Sequence, residues 1–452
     1  MHAKYLILGA GPTGLGAGNR LSELSEESFL ILEKNSHVGG LAASFKDAHG
    51  FTWDIGGHVL FSHFEYFDRL LAELLGPDFL EHKREAWIRA VGTWVPYPFQ
   101  NNIRYLPAKK QWECVRGLLA SQAKERGEPA SPANFKGWID RVFGLGIASL
   151  FMYPYNRKVW ATPLTQMAYQ WIGERVSVVD LERVLKNILL GLDDVSWGPN
   201  KTFKFPLYGG TGEIFKRLGK RISDHILIGQ EAVGVDPVEK SVRLASRETI
   251  TYDFLLNTGP LDQLVLVLIK DAPEPICRAA KELTHSGVMV TGVGVKGTRP
   301  DPKCWMYFPE NDCPFYRVTN FHNYSPKNTP SQDKFRALMT ETAFSKHAPV
   351  NPGLMEETVD GLVNVTLLGE NDREHIVSRW EKRMEYAYPV PCLKRDSALM
   401  TIQPYLEAAD IYSRGRFGGW KYEVGNMDHS LMQGVEWAEM MVQGKAEQVY
   451  SL

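Results

Sequence analysis

The chain has little cysteine: five residues in 452 (Cys114, Cys277, Cys304, Cys313 and Cys392), an odd number with no CxxC pair. This excludes a disulfide framework and a zinc ribbon, and it leads us to expect a reducing, cytoplasmic setting. Long apolar runs are also missing. The longest, Leu264 to Ile269, is core-sized and far short of the roughly 20 residues that span a bilayer, so no membrane partner is expected. No charge dominates: 51 Lys+Arg stand against 53 Asp+Glu, a formal net charge of −2, which gives nucleic acid nothing to be drawn to. Repeats and low-complexity tracts are absent, as are paired carboxylates, a Ser-His-Asp set and metal-ligand spacing. No metal is expected.

What remains is ordinary globular composition, 44% hydrophobic and 23% charged, long enough for about three structural units at roughly 150 residues each. Residues 4 to 33 read as strand, helix, strand: YLILGAG, a glycine-rich turn, GLGAGNRLSEL, then FLILEK ending at Glu33. Lys4 before an apolar stretch imitates a leader peptide, but the glycines, Pro12 and Arg20 interrupt it, and it reads as a buried strand. Helical spacing occupies 63 to 75 and 135 to 195, strand alternation 226 to 256 and 286 to 325, and helical patterning returns near 329 to 347 and 371 to 383. The polar stretch 121 to 134 reads as a surface loop, and a last helix starts at about Ser430.

Gly9, Gly11 and Gly14 form GxGxxG between a strand and a helix, with Glu33 ending the next strand. The first glycine allows the turn, the second admits a pyrophosphate, the third packs helix on strand, and the carboxylate takes a ribose hydroxyl. A tight glycine turn without a ligand is the plain alternative. Gly39-Gly40-Leu41 follows at once, a second backbone surface on which the longer FAD could lie, and it resembles the second signature of glutathione-reductase-like flavoproteins. Near the carboxyl end, Asn426-Met427-Asp428-His429-Ser430 leads into the last helix, whose positive end suits a reduced, anionic flavin.

More specific is FTWDIGGHVLFSH, from Phe51 to His63, which resembles the GGHV(I/L)FSH segment of eukaryotic-type UDP-galactopyranose mutases. VPYPFQNNI from Val95, NRKVWATPLTQMAYQWIGERV from Asn156, WGPNKTFKFP and GGTGEIF from Trp197, KCWMYFPENDCPFYRVTNFHNYSPKN from Lys303 and GRFGGWKYEVGNMDHS from Gly415 resemble that family in order, over nearly the whole chain.

The resemblance implies interconversion of UDP-galactopyranose and UDP-galactofuranose with no net redox change, reduced FAD N5 acting as nucleophile on the anomeric carbon and NADH or NADPH as reductant. It implies Arg175 and Arg317 as diphosphate clamps, with Tyr307, Tyr324, Tyr388 and Tyr422 donating hydroxyls around them. It places Tyr97, Phe99 and Gln100 at uracil, Asn156 and Trp160 near the ribose, and Asn200 and Arg416 near galactose and flavin. His58, with Gly57, lies in the loop expected over the flavin ring, while Gly40, Leu41, Asn426, Met427 and Ser430 join Gly9, Gly11, Gly14, Glu33 and Arg416 as cofactor contacts. Met427 departs from the family's usual Gln in this motif.

The expected fold is α/β: a glutathione-reductase-like Rossmann FAD-binding unit (1–75, 205–262 and 395–452), a helical unit (103–200) and an antiparallel-sheet substrate unit (76–102 and 263–394). Segments 172–180 and 196–202 are expected to close over a sugar nucleotide, and a homo-oligomer is compatible with the sequence. The alternatives are the same ring contraction on GDP-galactose or another sugar nucleotide, an oxidase of the amine-oxidase superfamily, or a flavin-free binding protein like the GDP-dissociation inhibitors.

Overall fold

The apolar run from Tyr5 to Leu8 is buried on both faces and forms part of the central strand His2–Leu8 in the computed structural model, which describes residues 1–125, 131–195 and 202–452. On one side it pairs in parallel with Thr249–Asn257, on the other with Phe29–Glu33, which pairs in turn with Ile226–Ile228. Ser241–Leu244 and Ala232–Asp236 extend the sheet antiparallel, and Ile411–Ser413 joins Thr249–Asn257 in parallel. Continuous apolar runs suit such strands because helices cover both faces.

Two of those helices, Pro12–Glu23 and Met427–Gln443, cross backbone against backbone. A methyl group on Gly16 would stand 2.5 Å from the Leu431 carbonyl oxygen, and one on Gly434 would stand 1.9 Å from that of Thr13. Only glycine permits this approach.

A second, seven-stranded sheet runs in the order Ile376–Val390, Thr284–Lys296, Phe335–Phe344, Arg317–Asn320, Trp305–Tyr307, Ala86–Ala90, Thr93–Pro96. All its pairings are antiparallel except that of Trp305–Tyr307 with Ala86–Ala90. Phe79–Lys83 pairs with Thr202–Pro206 as a separate ribbon. Helices Ala108–Glu125, Phe135–Ile147, Tyr153–Trp160 and Leu181–Leu190 pack around a core that includes Phe99, Phe135, Phe143 and Trp160. Each such side chain, fully buried, contributes roughly 1.5–3 kcal/mol.

The structure corrects four expectations. Residues 335–344 and 376–390 are strands, not helices. FRALMTETAF carries good helix formers, but it lies inside the sheet with neighbours on both edges, and packing overrides propensity. IVSRWEKRMEYAYPV hides a period of two behind its charges, every second residue being turned out. Residues 121–125, expected in a loop, continue the helix Ala108–Glu125, while 126–130 lie outside the described residues. The last helix begins at Met427, one turn before Ser430. Among the described residues, no helix is long and apolar enough to cross a membrane.

Candidate functional site

Two glycine turns lie back to back at the carboxyl end of the parallel sheet. Gly9 takes a left-handed φ of 103°, and a methyl group on Gly14 would stand 1.9 Å from its carbonyl oxygen, so the helix starts against the turn itself. The second turn, at Gly39 and Gly40, is tied on by Gly39 N–H donating to the Ala10 carbonyl at 2.8 Å, and a methyl on Gly40 would lie 3.3 Å from Gly11 Cα. Glu33, 4% exposed, accepts from Ala10 N–H at 2.9 Å and from Asn35 N and Nδ2 at 2.8 and 2.6 Å. The result is a cradle of backbone and small residues with a carboxylate at its edge, the donor set that fits a dinucleotide. Asn426 stands at the start of the last helix, with Met427 and Asp428 in its first turn.

Across the second sheet, Tyr307, Arg317 and Glu341 occupy directly paired positions on three adjacent strands. Paired positions point to one face, and a band of rings and cations spreads from them. Arg317 lies 4.8 Å from the Trp305 ring centroid. Tyr307 packs 5.8 Å from Tyr97, over which Arg84 sits at 4.6 Å. In the other direction Tyr316 Oη lies 3.1 Å from Tyr388 Oη. Arg416 stands 5.1 Å from the Tyr388 ring and 5.5 Å from that of Tyr422, and Arg175 stands 5.4 Å from Tyr422. Trp160 and Trp171 wall this end, 4.9 and 5.4 Å from Tyr422.

One buried carboxylate organises the centre. Glu341 accepts from Arg317 Nε at 2.6 Å and Nη2 at 2.5 Å, from Tyr316 Oη at 2.7 Å and from Gly57 N–H at 2.9 Å. Burial works against its charge, but Arg317 and these donors outweigh burial and hold the carboxyl below the usual range. Because Tyr316 gives its proton to Glu341, its oxygen accepts from Tyr388. The turn before His58 packs on the same group: a methyl on Gly57 would stand 2.5 Å from Thr319 Oγ1 and 3.2 Å from Trp305 Nε1. His58 is pushed down to about 4 by burial, with Glu341 opposing and Arg317 and Arg416 reinforcing the shift, so it is neutral at pH 7. His58 Nδ1, Trp305 Nε1, Thr319 Oγ1, Tyr324 Oη and Arg84 Nε are all buried without a partner. They are spare hydrogen-bonding groups beside the cleft.

Most residues expected from sequence therefore converge, but several in a different posture. Phe99 is fully buried and stacks on Phe151 at 4.8 Å. Gln100 Nε2 donates to the Ser177 carbonyl at 2.5 Å, and Asn156 Nδ2 to Met152 in its own helix at 2.8 Å. Tyr324 is enclosed by Phe203, Phe205 and Phe321. The Arg317 fork, expected on a diphosphate, rests on Glu341. Arg175 donates to the Glu423 carbonyl and, at 3.4 Å, to Asn426 Oδ1. Arg416 Nε and Nη1 donate to the Ala387 and Gly425 carbonyls, both at 2.9 Å. Gly40 and Leu41 lie at the cradle, and Ser430 is buried one turn into the last helix. Asn200, with most of segment 196–202, lies outside the described residues.

Sequence reasoning missed Glu341 and Arg84, which lie outside the family-resembling segments, and Trp305 and Tyr316, which lie within the segment from Lys303 but were given no role. It also missed the grouping of His63, Asp428 and His429, whose ligand-type atoms lie within 4.8 Å of one another. Both imidazole Nδ1 atoms face the Asp428 carboxylate, at 2.8 and 3.0 Å.

Residues 7–74 match the model of an NAD(P)-binding Rossmann-like domain. Over 99% of its length the chain matches the crystal structure of a reduced UDP-galactopyranose mutase, with 42% identity, 96% of that chain covered and a TM-score of 0.95. The chain belongs to the UDP-galactopyranose mutase family. Two more distant structures share the fold alone. One is a putative protoporphyrinogen oxidase from Exiguobacterium (15% identity, 98% and 99% of the two chains covered, TM-score 0.72). The other is putrescine oxidase bound to putrescine (16% identity, 98% and 99% covered, TM-score 0.66). For a UDP-galactopyranose mutase family member, the α/β architecture with its separate antiparallel sheet is the expected one.

Proposed function

We propose that the protein is a mutase of eukaryotic type that interconverts UDP-galactopyranose and UDP-galactofuranose with no net redox change, using FAD reduced by NADH or NADPH. The observation that carries this reading is the band of arginines and tyrosines beside a dinucleotide cradle, in a chain of this family. The division into a discontinuous cofactor unit, a helical unit and a sheet unit with the stated boundaries is part of the proposal.

The cradle at Gly9, Gly11 and Gly40 admits a pyrophosphate because side chains are absent there, and Glu33 has one acceptor site left, on Oε2, for a ribose hydroxyl. When bound and reduced, FAD would supply the nucleophile for the anomeric carbon. The chain's own residues supply the rest. Arg175 and Arg317 flank the band and take the charge of a departing diphosphate, which is worth most in a water-poor cleft. Tyr307 and Tyr422 border the same space, and the aromatic wall of Trp160, Trp171 and Tyr422 keeps water out. Tyr97 offers the ring face for a base, with Gln100 as its polar neighbour. Arg416, fixed by two carbonyls, would hold positive charge towards a bound flavin, and neutral His58 would contact the flavin without acting as an acid. Asn200 is assigned to the sugar by resemblance alone.

The test is anaerobic chromatography of dithionite-reduced protein incubated with UDP-galactofuranose, beside oxidised protein and beside GDP-galactose. Pyranose product from the uridine nucleotide after reduction only is the expected result. Conversion of neither nucleotide by FAD-replete protein removes the mutase reading.

A further inference from the structure

Glu341 lies in the middle of the strand Phe335–Phe344, its side chain 3% exposed. An apolar residue of similar volume would pack there at no desolvation cost, so an ionised carboxylate at this position calls for a reason other than stability. Its contacts supply one. A single group holds the Arg317 fork by Nε and Nη2, receives Gly57 N–H from the turn that carries His58, and orders Tyr316 and, through it, Tyr388.

The fork geometry matters because Nε and Nη2 are used and Nη1 is not. Arg317 can keep its carboxylate and still present both Nη1 donors and the second Nη2 donor to an anion. Gly56 adds to the constraint: it takes a φ of 98°, and a methyl group on it would stand 3.1 Å from Glu341 Oε2. The turn and the arginine are thus built onto one carboxylate, Gly57 N–H and Arg317 Nε sharing its Oε1.

We infer that Glu341 is a positioning residue, setting the diphosphate anchor Arg317 and the Gly57–His58 turn in one geometry. The inference rests on the mutase reading and deepens it. Its side-chain partners are Arg317, Tyr316 and Gly57, and it acts through Arg317 and through the turn.

The test is a double-mutant cycle on the FAD-loaded protein with Glu341→Gln, Arg317→Ala and the pair, read by UDP affinity in calorimetry, by kcat and KM, and by thermal midpoint. Glutamine keeps the shape and an acceptor for Gly57 but loses the charge and one acceptor for the fork. The expected result is UDP binding weakened by about tenfold or more in Glu341→Gln, with little further loss when it is added to Arg317→Ala. Glu341→Asp, one methylene short of spanning both partners, is the second variant should the first fail to fold, and the same loss is expected of it. Equal losses in both backgrounds, or wild-type affinity and turnover in the Glu341 variants, overturn the inference alone. A wild-type protein that neither binds UDP nor interconverts the sugar nucleotides sinks the mutase reading and the inference together.

Discussion

Replacing Gly434 by alanine tests the packing on which the cofactor cradle depends. The new methyl would stand 1.9 Å from the Thr13 carbonyl oxygen and 2.8 Å from Ala17 N, where contact between non-bonded heavy atoms is ordinarily about 3.5 Å. Both atoms are backbone, so no side-chain rotation relieves the clash. The helices Pro12–Glu23 and Met427–Gln443 must part by more than 1 Å or distort, at the upper end of the roughly 1–3 kcal/mol that overpacking costs. Alanine's helix propensity returns about 1 kcal/mol, which leaves a net loss of about 2 kcal/mol. Parting the helices also moves the first turn of the last helix away from Gly9–Gly14, so cofactor content falls with stability. Urea midpoints and the ratio of flavin to protein absorbance measure the two effects. Gly137→Ala is the control, since its methyl meets nothing nearer than 3.5 Å and it gains up to about 1 kcal/mol. A Gly434→Ala protein with wild-type midpoint and full FAD content would refute the close-crossing argument.

Arg317→Ala should retain FAD and lose about 2–4 kcal/mol of transition-state stabilisation in kcat/KM; wild-type turnover would remove Arg317 from the site. His58 imposes a pH dependence of definite sign. Between about 4, its value in the fold, and its ordinary value near 6.5, the unfolded chain holds the proton and the fold does not, so stability falls as pH drops through that window, by up to about 3 kcal/mol. Asp54, pushed up to about 6 by burial, acts oppositely, its stabilisation being lost as pH rises towards 6. The measurement is therefore the difference in pH slope between wild type and His58→Gln, with a shallower fall expected in the variant below pH 6.5 and equal slopes counting against the assignment. Saturating UDP should slow amide exchange in 172–180, because Arg175 and Ser177 already contact the opposite side of the cleft through Glu423, Asn426 and Gln100. Unchanged exchange there, with ligand and after flavin reduction, would end the lid proposal.

The dinucleotide cradle was legible because its physics is local: the glycines and Glu33 lie within one strand-helix-strand unit, and each has a job that no other residue type does. The arginine and tyrosine band was legible only through family resemblance, since nothing in WMY, RVTN or FRALMTETAF says that Tyr307, Arg317 and Glu341 face one another. That follows from strand register, a long-range property. Glu341 was missed for the same reason, because 329–347 read as helical, and only the strand pairing and the approach of Gly57 and Arg317 show this glutamate to be interior. Phe99, placed at the base by resemblance, is buried against Phe151, a contact that its motif did not foretell. The strand at 376–390 escaped because its charged outer face resembles a helical surface when spacing is read alone.

Tyr307, Arg317 and Glu341 form a column perpendicular to the strands that carry them, and this bears on where the chain tolerates added length. One residue inserted within any of those strands would shift its member of the column and turn it to the other face. Residues added in the connecting turns leave the column untouched. The exposed turn at Lys346 and His347, closed by Ser345 and Ala348, is therefore a place for an engineered reporter, carried on the continuation of the Glu341 strand yet unable to dislocate the site.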